Sequence, residues 1–128
     1  ALDIRPIQDI TGHLGVNDGG VFKIIVGRTG VTSQGMALTS VMGLHSWAGF
    51  GGTNEHAHVA GDIAMTAAEV NPVLTTLRSN GIDAVALHNH MLDDHPRMFY
   101  LHFWGTGPAE KLAQGVRSAL EQVHGPVR

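Results

Sequence analysis

Apolar and polar positions alternate most clearly in Val21–Val26 (VFKIIV) and in Met98–Trp104 (MFYLHFW). Successive side chains of a strand point to opposite faces. In the first run Phe22, Ile24 and Val26 therefore share a core face, and Val21, Lys23 and Ile25 share the other. In the second, Phe99, Leu101 and Phe103 oppose Met98, Tyr100, His102 and Trp104. The preceding run from Ile82 reads as a strand with Ala84, Ala86, His88 and His90 on one face, and Val85 and Leu87 on the other. Met91–Arg97 joins the two runs, with Asp93, Asp94 and Pro96 as turn chemistry. A symmetric hairpin then sets His88 opposite His102 and His90 opposite Tyr100. Its apolar set (Val85, Leu87, Phe99, Leu101, Phe103) would face helices.

Helical spacing appears elsewhere. Ile4, Ile7 and Ile10 predict a short helix closing at Asp9–Gly12. Thr66-x-x-Glu69 is a capping box, with Asn71-Pro72 as a competing helix start. Val70, Val73, Leu74 and Leu77 follow, and Asn80-Gly81 ends that helix. A last helix begins after Thr106-Gly107-Pro108 and runs to about His124, with Leu112, Val116, Leu120 and Val123 as its stripe. Gly15–Gly20 reads as a turn and Gly27–Gly35 as a polar connection. Met36–Met42 and Leu44–Phe50 read as extended pieces. Glu55–Met65 reads as a second histidine-rich strand, with a bulge or close approach at Gly61. The order strands–helix–hairpin–helix predicts an α+β fold: a mostly antiparallel sheet with helices packed on one face, in one domain spanning residues 1–128.

Composition narrows the function. The net charge is −3 and no run of Lys or Arg occurs, which argues against nucleic acid as a partner. No apolar run is long enough to span a bilayer. Histidine is abundant at 9 and cysteine is absent, so a bound metal must sit on nitrogen and oxygen. The GFGG segment at Gly49–Gly52 lacks the phosphate-loop pattern and predicts no nucleotide site. A start at Ala1 fits either removal of an export segment or a chain boundary.

The hairpin carries the candidate chemistry. Three imidazoles on one face suggest a mononuclear site for one divalent ion held by His88, His90 and His102. His58, from the second H-x-H pair, is a fourth candidate ligand. Glu55 is a candidate ligand or general base. Tyr100, beside the cluster, would shape the pocket or tune a redox metal. Copper, zinc, iron and manganese all suit such donors. Three ligands leave a position open for water or substrate.

The run TAAEVNPVLTTLRSNGIDAVALHNHMLDDHPRMFYLHFWGTGPAEKLAQGVRSAL, with NDGGVFK and LHSWAGFGGTNE upstream, resembles the LppY/LpqO-type bacterial domain of unknown function. EVNPV, ALHNHM and LHFWG are its most specific parts. The resemblance implies an exported protein, secreted or held in the periplasm or cell envelope, and brings no assigned activity. In ligand chemistry alone the H-x-H plus a later His is similar to cupins. The expected function is a metal-dependent enzyme of the cell envelope, an oxidoreductase ahead of a zinc hydrolase. Its substrate would be a small molecule or a saccharide. A non-catalytic copper or zinc carrier, or a structural domain that self-associates as a homo-oligomer, are the competing readings.

Overall fold

The computed structural model describes residues 2–27, 31–33, 36–38, 45–89, 94–95 and 98–124. The first helix, α1 (Ile4–Thr11), buries Ile7 completely and stops at Gly12, whose N–H donates to the Gln8 carbonyl. Strands β1 (Gly15–Asp18) and β2 (Val21–Gly27) form a hairpin. Along β2 burial alternates strictly, with Phe22, Ile24 and Val26 inside, as the pattern predicts. β3 (Val31–Ser33) and β4 (Met36–Leu38) follow, then the long strands β5 (His45–Gly52) and β6 (Ala57–Thr66).

Helix α2 (Ala67–Ser79) starts at the capping box and not at the competing Asn71-Pro72. Glu69 Oε1 accepts the Thr66 N–H at 2.7 Å, so the helix is already nucleated when Pro72 is reached. Pro72 lies inside the helix, where it removes one backbone donor. Gly81, at φ 72°, turns the chain away after the helix. β7 (Asp83–Asn89), the two-residue β8 (Asp94–His95) and β9 (Met98–Gly107) precede α3 (Ala109–His124).

The main sheet has the order β1-β2-β5-β6-β9-β7, and every neighbouring pair is antiparallel. α3 packs on β6 and β9, with α1 and α2 against it. Leu112, Val116 and Leu120 of α3 meet Phe22, Ile24, Phe50, Ile63, Leu101 and Phe103 from one sheet face in a continuous core. This is the predicted α+β arrangement. Truncating one of those buried phenylalanines costs about 3–5 kcal/mol.

The opposite sheet face carries no helix among the described residues. A second sheet, β4-β3-β8, joins the β2–β5 connection to the β7–β9 connection, with Thr32 opposite His95 and Ser33 opposite Asp94. Gly27–Gly35, expected as a plain polar connection, thus holds the short strand β3, while β4 falls in the piece expected to be extended. The β-branched Val31 and Thr32 suit β3.

The register of β7 on β9 departs from the symmetric hairpin. His88 opposes Tyr100, Ala86 opposes His102, and a bulge falls between Ala84 and Ala86. The connection contains a strand paired to β3, so it does not act as a simple turn that fixes register. Beyond the bulge the faces exchange: Ala84 opposes Phe103 on the helix side. Val85 and Leu87, expected to be covered, are 60% and 48% exposed.

Burial also touches one histidine outside the open face. His13 follows α1, and desolvation holds its imidazole below the ordinary range. A neutral, half-buried imidazole adds stability above the unfolded-state pKa. That contribution is lost as pH falls through the lower folded-state value. Urea unfolding between about pH 7.5 and 5 should show stability decreasing toward acid, with a shallower slope in His13→Asn.

Candidate functional site

The helix-free sheet face is built from alternate residues of β5, β6, β9 and β7; it is open around Asp62, His102 and Trp104 and closed at one end, where Ala64 and Met98 are fully buried beside Tyr100. Its centre is one row across the strands: Trp47 opposite Asp62, Asp62 opposite His102, His102 opposite Ala86. Two hydrogen bonds run along this row. Trp47 Nε1–H donates to Asp62 Oδ2 at 3.1 Å, and His102 Nδ1 lies 2.9 Å from Asp62 Oδ1. Lys23 Nζ sits 4.8 Å from the Trp47 ring centroid, a cation–π contact that closes the row on the β2 side.

The hydrogen-bond chemistry of the row fixes a tautomer. Indole N–H can only donate, and an ionised carboxylate can only accept. Asp62 therefore takes one donor on each oxygen, and in neutral His102 the proton sits on Nδ1. The Nε2 lone pair is left free to bind a metal or accept a proton. The pair is partly exposed, at 39% for His102 and 29% for Asp62. Such a pair contributes about 0–1 kcal/mol to stability. Its consequence is orientation.

The next row toward the second sheet pairs Tyr100 with His88. Their ring centroids are 5.9 Å apart with a 33° tilt. His88 and His102 share a face as diagonal neighbours, about 7–8 Å apart at Cα. On β5, His45 lies two residues before Trp47, and its Nδ1 is buried with no hydrogen-bond partner among the described residues.

Other expected site residues lie elsewhere. His90 is outside the described residues. Glu55 and His56 precede β6 in an exposed bend, not within the strand as expected. Asn54–His56 turn the chain, and the Thr53 hydroxyl accepts the His56 N–H. His58 is on the open face, opposite Thr106, and stacks on Trp104 with centroids 5.7 Å apart. It is four residues from Asp62 along β6, about 13 Å by strand rise. The register therefore does not bring His58 to His102. Among the described residues no three His, Asp or Glu side chains are grouped to hold a metal ion.

The sequence by itself offers Asp62 as a general base or a surface carboxylate, and Trp47 as a stacking surface or a core plug. A carboxylate in mid-strand, between Gly61 and Ile63 in an otherwise apolar run, was the available signal, because Asp is disfavoured in strands.

Fold and site together define an α+β domain whose second sheet face, with no helix on it among the described residues, presents a histidine oriented by a carboxylate. The chain belongs to the family described as Domain of Unknown Function (DUF1259), whose model matches residues 5–122. No curated protein and no solved structure matches it. No helix among the described residues is long and apolar enough to cross a membrane.

Proposed function

We propose that the protein is a metal-dependent enzyme of the cell envelope, with His102 Nε2 as a ligand to one divalent ion. The observation that carries this reading is the Trp47–Asp62–His102 chain. A carboxylate on the far nitrogen is the usual support of a ligating imidazole. His88, diagonal to His102 on the same face, is the second ligand. His90, nominated by the sequence, is the third. The nitrogen-rich donor set favours copper, iron or manganese and hence redox chemistry, with zinc-dependent hydrolysis as the alternative. Placement in the envelope rests on the resemblance to the LppY/LpqO-type domain. The likeness to cupins enters only through the ligand set.

A second reading has its own observation. His102 is 39% exposed, and a solvent-open imidazole oriented by an Asp is equally suited to act as a metal-free general base.

The test is metal uptake by untagged protein offered copper, zinc, iron and manganese separately, with the ion counted by elemental analysis. About one ion per chain is expected for at least one metal. His102→Ala and His88→Ala should each weaken retention at least about tenfold. Undiminished retention in both variants rejects the ligand assignment. Absence of uptake by the unaltered protein leaves the metal-free reading.

A further inference from the structure

We propose that the open face binds an uncharged saccharide, with Trp104 as the platform for one sugar ring. Only the placing of the adjoining ring, over His102, rests on the functional reading above. Trp104 lies on β9, which has a neighbour on each side, yet the residue is 43% exposed. Its cross-strand partners are the short Ala60 and Asp83, which leave the indole standing above the sheet.

The ring is also held in place. The His58 imidazole lies within 18° of parallel to it, at 5.7 Å. His58 in turn lies across Gly51, where a methyl group would come within 2.6 Å of its Nε2. An indole fixed by packing before the ligand arrives loses little freedom on binding. Trp47 has no such role, since it is less exposed than Trp104 and its N–H is committed to Asp62.

Beside Trp104 is an open depression of about 390 Å³, lined by His56, Ala57, His58, Trp104, Thr106 and Gly107. That lies within the about 300–1,000 Å³ typical of small-molecule sites. No Lys or Arg is among the lining residues, and Asp83 stands opposite Trp104, so an anionic ligand has no counter-charge there. The Thr106 hydroxyl and two imidazoles offer hydrogen bonds that a purely apolar ligand would leave unused. A ring with C–H groups on one face and hydroxyls at its edge meets all of these conditions. His102 is two residues along the same face of β9, about 7 Å away. A second sugar linked to the first would therefore lie over it.

The chain has two tryptophans, so indole N–H signals report each separately by NMR. It would be titrated with cellohexaose, maltohexaose and chitohexaose, with oligogalacturonate and adenosine as anionic and planar aromatic contrasts. At least one neutral hexaose should shift the Trp104 signal saturably. Trp104→Ala should weaken binding at least about tenfold, with Trp104→Phe between the two. His102→Ala should lose metal and, because only the adjoining ring lies over it, weaken hexaose binding less than Trp104→Ala does while the saturable Trp104 shift remains, so the two readings fail separately. No response to any neutral hexaose overturns the proposal. So does full binding by Trp104→Ala, or tighter binding of oligogalacturonate or adenosine at Trp104.

Discussion

Gly61→Ala is expected to destabilise the domain by about 3 kcal/mol or more, the upper range for overpacking. For a chain of this length that is a fall in melting temperature of about 10–15 °C. A Cβ at Gly61 would stand 2.1 Å from the Trp47 carbonyl oxygen and 2.6 Å from Phe103 Cζ. The first obstacle is backbone of the paired strand, where Gly61 opposes Ala48, and it cannot swing aside without parting β5 from β6. The second is a fully buried ring opposite Gly61 on β9. Gly49→Ala is the natural control. There the nearest atom is the tip of Val21, at 3.0 Å, which can yield by rotation. Thermal unfolding of the two variants checks the contrast, and a Gly61→Ala protein within about 1 kcal/mol of the unaltered one would contradict the packing described. The lesion should also reach the site, since the obstructing carbonyl belongs to Trp47, the residue that anchors Asp62.

The helices were legible because their signals are local. The isoleucine spacing and Gly12, the Thr66–Glu69 box, Gly81, and the Leu112–Val116–Leu120 stripe each act within a few residues. The buried faces of β2 and β9 were legible from strict alternation. The register of β7 was not. From Ile82 to Leu87 the run is small and apolar apart from Asp83, so nothing in the pattern marks the bulge before Ala86. Val85 was consequently assigned to the wrong environment. The partner of His102 was hidden for a different reason. An interior strand has two neighbours, and the adjacent hairpin offered only one of them. The carboxylate came from β6 on the other flank, forty residues away in sequence. The imidazole was legible, but its orienting group depended on strand order.

Asp62→Asn should invert the tautomer of His102. An asparagine side chain has one accepting oxygen and one donating amide in place of two accepting oxygens. Trp47 is an obligate donor, so it claims the oxygen. The amide then faces His102 Nδ1, which must accept, and the imidazole proton moves to Nε2. Long-range proton–nitrogen NMR of the neutral ring reads this directly. The nitrogen proposed as ligand or base is now capped by a proton, so metal retention, where it occurs, should fall about 10–100-fold. Stability should change by no more than about 1 kcal/mol, because the pair is partly exposed. A second substitution separates orientation from mere loss of charge. Trp47→Phe in the Asp62→Asn background removes the competing donor and frees the asparagine oxygen to rotate back toward His102. The Nδ1–H form should return, although the negative charge does not. If the tautomer is unchanged by Asp62→Asn, or stays inverted in the double variant, the hydrogen-bonded row is not what orients His102. The free Nε2 on which the functional reading depends would then have to arise some other way.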